Sequence, residues 1–118
     1  MEAASSRELE RLLRQFFAVE NARDWRTYAG FLHPQVEWSL IDVGRERRVV
    51  GREAYLQAIR SAYDGAATKF RCVETMVDHR RGRIAAVLVD ELGERSLEVF
   101  DVEDGLIRRE WEFFLGRP

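Results

Sequence analysis

The second half of the chain contains four β segments that are joined by very short connections. Alternation of apolar and polar side chains predicts strands at about 69–79, 83–92, 96–103 and 106–115. The connection Asp104-Gly105 is a strong turn signal, and the other connections also contain glycine. Because strands joined so closely pair as antiparallel neighbours, this half is expected to form one antiparallel sheet.

The first half is predicted to contain three helices. Ser5 and Glu8 have the spacing of a capping box, and an amphipathic pattern follows it. Asp24 can cap a second, short helix that includes Phe31 and Leu32, and Pro34 cannot continue that helix. A third helix is predicted to start at Gly51.

Between the second and third helices the sequence indicates one strand and one loop. Val36, Trp38 and Leu40 alternate with polar residues, which is typical of a strand. The charged run at 44–48 is interpreted as a hairpin-like loop.

Helices followed by strands predict an α+β fold, with the helices covering one face of a curved sheet. A length of 118 residues fits one domain, 1–118, in which residues 1–6 are expected to form a disordered tail.

Composition excludes several classes of function. With 19 basic and 21 acidic residues, the charge does not favour a general binder of nucleic acid or anionic membranes. No apolar run is long enough to cross a membrane, and the N-terminus has no signal-peptide pattern, so a cytoplasmic location is expected. The single cysteine, Cys72, and two histidines lack metal-ligand spacing, and no nucleotide fingerprint occurs, so neither a metal nor a cofactor is predicted.

The segment 83–92 is apolar on both faces. Since the helices can cover only one face of the sheet, the other needs a second layer that the chain is too short to provide. We therefore expect a homodimer formed through the outer sheet face, to which Trp111 and Phe113 would contribute.

Three stretches of sequence carry a resemblance to a known superfamily. Residues 21–25 (NARDW) are similar to a "NAGDL" link between helices. Residues 31–38 (FLHPQVEW), with 51–54 (GREA), are similar to "FxxDVxW … GxEAI". Residues 99–107 (VFDVEDGLI), leading into 111–114 (WEFF), are similar to "vFrfxDGKI…REYF". Together they resemble the nuclear transport factor two-like superfamily, particularly its SnoaL-like branch.

The resemblance implies a cone-shaped α+β barrel whose curved, mostly antiparallel sheet and helices enclose a pocket, usually in a dimer. It does not fix the chemistry, because the superfamily includes ketosteroid isomerase, limonene epoxide hydrolase, scytalone dehydratase, polyketide cyclases and non-catalytic domains.

Two known chemistries can be compared position by position. The ketosteroid isomerase base, oxyanion tyrosine and protonated acid fall on Leu40, Phe16 and Glu98, so only the last is retained; Asp42 is a candidate replacement for the base. The two aspartates of limonene epoxide hydrolase fall on Asp90 and Glu112. Its arginine, tyrosine and asparagine fall on Leu88, Trp38 and Leu40. Neither constellation is complete.

The remaining acids give the functional hypothesis. Asp90, Glu112 and Glu98 are predicted as catalytic acid–base groups, since a desolvated carboxyl has a raised pKa and can hold a proton. The predicted pocket residues are Phe16, Trp38, Leu40, Asp42, Leu88, Glu110 and Phe114. Alternation alone leaves open whether Glu110 and Glu112 face the pocket or solvent.

Two functions remain as alternatives. In the first, the pocket binds a small, largely apolar molecule and catalyses a cofactor-free acid–base reaction: hydration, dehydration, isomerisation or cyclisation. In the second, the chain is a non-catalytic ligand-binding or protein-association domain of the same fold.

Overall fold

The computed structural model describes residues 4–117. Within them, helices and strands follow in this order: α1 (Ser6–Asn21), α2 (Trp25–Ala29), β1 (Leu32–Asp42), β2 (Arg45–Val50), α3 (Arg52–Ala62), β3 (Phe70–Asp78), β4 (Arg83–Asp90), β5 (Arg95–Glu103) and β6 (Leu106–Gly116). The predicted α+β class is confirmed.

The strands form one curved sheet in the order β2-β1-β6-β5-β4-β3. Neighbouring strands are antiparallel except for β1 and β6, which are parallel. In the described part of the chain β2 and β3 are edge strands, so the barrel is open along one side. The helices pack on the concave face of the sheet, and the core and a cavity lie between the two layers.

Helix α1 buries one face because its apolar residues recur every three or four positions. The predicted capping box is present: the Ser5 hydroxyl accepts from the Glu8 backbone N–H, and the Glu8 carboxylate accepts from the Ser5 backbone N–H. The predicted disordered tail, 1–6, therefore does not include Ser5 and Ser6, since Ser5 is the N-cap and Ser6 begins the helix. Residues 1–3 lie outside the described residues.

Two elements between the helices differ from expectation. Helix α2 ends at Ala29, and β1 begins at Leu32, so Pro34 lies inside a strand instead of ending a helix. The irregular register between Leu32 and Glu37 explains how the strand accommodates a residue without an N–H. The charged run predicted as a loop mostly forms β2, which pairs with β1 as a hairpin from Arg45 to Val50.

The turn prediction at Asp104-Gly105 is confirmed by the backbone. Both residues have positive φ, 53° and 76°, as a tight primed hairpin turn requires. No helix in the described residues is long and apolar enough to cross a membrane.

Candidate functional site

The register of β5 and β6 places three acidic side chains side by side on the concave face. Glu98 on β5 lies opposite Glu112 on β6, and Glu110 lies two residues before Glu112 on the same strand. Side chains two residues apart along a strand share a face, so all three project toward the helices. Glu110 is 2% exposed and Glu98 9% exposed. Glu110 and Glu112 therefore face the cavity and not solvent. The sequence alone did not decide between these two orientations.

The carboxyl groups form the floor of a cavity of about 790 Å³. Its walls are largely aromatic or aliphatic and include Trp38, Leu40, Ile59 and Leu88. A cavity of this size lies within the range of roughly 300–1,000 Å³ that is typical of small-molecule sites.

The mouth of the cavity carries exposed apolar side chains as well as charged ones such as Asp42 and Asp90. Among its lining residues are several large hydrophobic side chains that are strongly exposed: Val43, Leu92, Phe114 and Leu115. They come from the β1–β2 turn, the β4–β5 turn and the end of β6, which meet at the same end of the sheet. An apolar ligand would therefore meet several exposed apolar side chains at the entrance.

Burial and mutual repulsion favour the neutral form of these acids. One carboxylate oxygen from each of Glu98, Glu110 and Glu112 lies within 4.8 Å of the others. Burial raises the pKa of Glu98 and of Glu110 well above the usual value, and the neighbouring charge of Glu112 raises each further. The cluster is thus built to hold protons at neutral pH.

Glu112 differs from its two neighbours because its pKa lies close to neutrality. Burial, helped by the charge of Glu20, raises the pKa of Glu112 from 4.5 to about 7, while the nearby indole N–H of Trp38 opposes the shift. That N–H is buried, and no acceptor among residues 4–117 meets the full geometry of a hydrogen bond to it. Glu112 can accordingly gain or lose a proton near pH 7. The Trp38 N–H beside it can donate a hydrogen bond to a bound ligand.

A chain of tyrosines links this floor to another buried acid, Glu20 on α1. Tyr28 donates to Glu20 Oε1 at 2.9 Å, and its hydroxyl contacts that of Tyr55 at 3.2 Å. Tyr55 in turn donates to Glu110. On the other side, Tyr63 donates to Glu20 Oε2 at 2.6 Å.

Glu20, Tyr28, Tyr55 and Tyr63 are site residues that were not predicted from the sequence. Glu20 carried a detectable signal, because it continues the buried face of α1 four residues after Phe16. An acid in that position needs a buried partner. The tyrosines carried no such signal, since they fit equally well as core residues.

Asp90 lies apart from the glutamate cluster. It is four residues along β4 from Ala86, the partner of Glu98, which is a separation of about 13 Å along the strand. Its Oδ1 accepts from the backbone N–H groups of Leu92 and Glu94 at 2.8 and 3.0 Å. Asp90 lines the cavity near its mouth and stabilises the β4–β5 turn; its predicted catalytic role is not supported by proximity to the other acids.

The other predicted pocket residues fall in three places. Trp38, Leu40 and Leu88 line the cavity wall, and Asp42 and Phe114 lie near its mouth, where Asp42 bonds the Val43 N–H. Phe16 is not among the lining residues. It is a core residue, whose ring stacks on Tyr28 at 4.4 Å between centroids. Tyr28 fills the space between Phe16 and the cavity.

Glu98, Glu110 and Glu112 are also the set of side chains within the described residues that could supply three oxygen ligands to one cation. Hard cations such as Mg²⁺ prefer carboxylate oxygen. Binding would have to displace the protons that burial favours on these groups.

Comparison with known proteins supports the fold. No family model matches the chain, and no curated protein matches it. Solved structures do match: a SnoaL-like protein of unknown function from Burkholderia thailandensis E264 superposes with a TM-score of 0.82 at 18% identity, covering 96% of this chain and 99% of that one.

The chain has the nuclear transport factor two-like fold. A candidate ketosteroid isomerase from Kribbella flavida DSM 17836 gives a TM-score of 0.79 at 24% identity, covering 95% of this chain and 81% of its own. A candidate polyketide cyclase from Xanthomonas campestris pv. campestris gives 0.76 at 19%, covering 91% and 90%. The predicted resemblance is thus confirmed for the fold. Sequence identities this low do not show that the chain shares an activity or a ligand with these proteins.

Proposed function

We propose that this chain binds a small, largely apolar molecule in the cavity and catalyses a cofactor-free acid–base reaction on it: hydration, dehydration, isomerisation or cyclisation. The observation that carries the proposal is the juxtaposition of Glu98, Glu110 and Glu112 on the floor of an apolar cavity. Acid–base catalysis needs groups that can hold and release protons where the ligand is bound.

Glu112 is the group that exchanges a proton with the ligand. Its pKa of about 7 keeps both protonation states accessible at neutral pH. Glu98 is held neutral by burial and by the charge on Glu112, so it can donate a hydrogen bond to a developing negative charge. The indole N–H of Trp38 is a second donor toward the same space.

The aliphatic and aromatic walls support an apolar ligand. The rings of Trp38 and Tyr55, with centroids 4.6 Å apart, both line the cavity beside the acids. The exposed apolar side chains at the mouth favour entry of the same kind of molecule.

A non-catalytic ligand-binding or association domain is the alternative, and the apolar side chains Leu40 and Leu88 favour it. They stand where the resembled enzymes carry polar catalytic groups. Such a domain would keep the cavity without turning its ligand over.

The outer face of the sheet supports a homodimer. There β4, β5 and β6 place a continuous set of half-buried apolar side chains side by side: Ala85, Val87, Val89, Leu97, Val99, Trp111 and Phe113. Ion pairs from Arg83 to Asp101 and from Arg109 to Glu37 border it at one end. A second copy of the chain would cover this surface.

Mass spectrometry of the compound that co-purifies with the protein identifies the ligand. The compound is then incubated with the protein in deuterated water, and its conversion or deuterium uptake is followed. We expect Glu112→Gln to lower the rate by about 100-fold or more, because it removes the exchangeable carboxyl proton. Glu53→Gln, an exposed glutamate of α3, is the matched control.

Binding without conversion or deuterium uptake would favour the non-catalytic alternative. Equal rates in wild type and Glu112→Gln would contradict the role assigned to Glu112.

A further inference from the structure

The hydrogen-bond chain that joins Glu20 to Glu110 has a fixed requirement for protons. It contains three contacts: Glu20 with Tyr28, Tyr28 with Tyr55, and Tyr55 with Glu110. Each contact needs one proton, and each tyrosine hydroxyl supplies one. Two hydroxyl protons cannot serve three contacts.

The missing proton must therefore come from a carboxyl group. If both carboxyls were ionised, both hydroxyls would donate outward, and the oxygens of Tyr28 and Tyr55 would face each other at 3.2 Å without a proton. Such an unsatisfied contact between buried polar atoms is costly. If both carboxyls were protonated, the chain would have four protons for three contacts, and one carboxyl proton would have to point away from the chain.

We propose that Glu20 and Glu110 share one proton through the hydroxyls of Tyr28 and Tyr55, so that Glu20 serves as a remote proton store for the carboxyl cluster. Glu20 thereby acts through Glu110 and is a positioning residue. Sharing the proton is independent of the proposed function; its use in turnover rests on that function.

Transfer along the chain leaves every tyrosine neutral. The carboxyl proton of Glu20 passes to the Tyr28 oxygen as the Tyr28 proton passes to the Tyr55 oxygen. In the same concerted movement the Tyr55 proton passes to Glu110 Oε1, so no hydroxyl carries two protons at any point. At each hydroxyl one O–H bond breaks and one forms, and the net result is one proton moved from Glu20 to Glu110.

The surroundings favour a shared proton over two separate charges. Burial raises the pKa of both Glu20 and Glu110. Tyr63 and Arg23 face Glu20 and favour its ionised form. At Glu110 the charge of Glu112 raises the pKa further, whereas a hydrogen bond with Glu98 lowers it. Burial also keeps Tyr28 and Tyr55 protonated by raising each pKa.

Both ends of the chain lie on the lining of the same cavity, Glu20 beside Tyr63 and Glu110 in the carboxyl cluster. Tyr63, which donates to Glu20, is only partly buried, and the Arg23 guanidinium lies 3.9 Å from its ring centroid. Glu110 lies beside the groups that would meet the ligand. The chain thus connects the carboxyl cluster on the floor to a second carboxyl elsewhere on the cavity wall.

Carbon-13 NMR of the glutamate carboxyl carbons tests the proposal on the ligand-free protein. In wild type the signals of Glu20 and Glu110 are expected to move in the same pH steps. In Tyr28→Phe, which keeps the ring stacked on Phe16, those steps are expected to separate by about 1 pH unit or more. The distance between the two carboxyls is preserved, so their charge repulsion persists.

Tyr63→Phe is the matched control, because it removes a hydrogen bond to Glu20 from outside the chain. In Tyr63→Phe the Glu20 and Glu110 signals should still move in the same pH steps. Those steps should lie at higher pH, because the ionised Glu20 carboxylate loses a hydrogen-bond donor and its pKa rises. Unchanged joint steps in Tyr28→Phe, separate steps in wild type, or separation in Tyr63→Phe as well would each overturn the proposal.

If Tyr28→Phe does not fold, Tyr55→Phe interrupts the same chain and is read in the same way. Because no ligand or turnover enters the measurement, its failure is distinguishable from failure of the proposed acid–base function.

Discussion

On β6, Glu110 and Glu112 enter the cavity, whereas Trp111 and Phe113 lie on the opposite, outer face of the sheet. A half-exposed strand normally buries its aromatic residues and leaves its acids in water. This strand does the reverse along the stretch that forms the cavity floor.

Buried acids on the inner face of β6 and partly exposed aromatic residues on its outer face both cost free energy, and each face offsets that cost in a different way. Inside, the acids are accommodated because they hold protons and hydrogen bonds with Tyr55 and its neighbours. Outside, Phe113 lies beside Leu97 and Ile41 in the sheet, so the strands supply apolar neighbours but no covering layer. The inner face is therefore complete within one chain, and the outer face is suited to a second copy.

The largest expected effect concerns the outer face. Phe113→Glu places a charge in the centre of the proposed dimer surface, and we expect the dimer dissociation constant to rise by about 100-fold or more. Sedimentation velocity at micromolar concentration measures the change.

Leu92→Glu is the matched control, since Leu92 is 61% exposed and lies at the cavity mouth instead of on the outer face. A monomeric wild-type protein, or equal dissociation in both variants, would contradict the assignment of the dimer to this face.

The next effect concerns the inner face and its pH dependence. The pKa of Glu112 rises from 4.5 to about 7 on folding, so between these values the folded chain binds more protons than the unfolded chain. The stability that this group contributes is complete below about pH 4.5 and is lost as the pH rises through about 7.

Glu112→Gln should remove this loss. We expect it to be more stable than wild type at pH 8, by up to about 3 kcal/mol, with the difference shrinking toward pH 4.5. Urea unfolding at several pH values measures the free energy of unfolding. Glu53→Gln serves as the control, and an equal slope in the Glu112 variant and wild type would show that Glu112 is not shifted.

A smaller effect separates Asp90 from the glutamates. Asp90→Ala removes the acceptor for two backbone N–H groups of the β4–β5 turn, and a loss of about 1–2 kcal/mol of stability is expected. Asp90→Asn retains an acceptor oxygen and should recover most of it. Thermal unfolding compares the two variants; a similar loss in both would mean that the charge of Asp90 matters more than its turn contacts.

Most of the fold was predictable because its signals are local. The capping box at Ser5, the alternation in β4 and β5, and Asp104-Gly105 each specify a backbone geometry from a few neighbouring residues. The two errors, at Pro34 and at the charged run that forms β2, arose where pairing with β1 and β6 overrode local preference.

The site was predicted less completely. Glu98 and Glu112 were identified, because acids among apolar strand residues are conspicuous. Glu20, Tyr28 and Tyr55 come from three different helices, and nothing in their local sequence indicates that their polar atoms meet.

By itself, the sequence determined the order of the helices and of every strand except β2, because periodicity and turn chemistry are short-range properties. It also showed acidic residues at alternating positions that share one face of the sheet. Only the tertiary structure decided which face became the interior. The helices cover the side that carries Glu110 and Glu112, and α1 brings Glu20 within reach of Tyr28. Burial then sets the protonation of these groups, and burial depends on residues far apart in the chain.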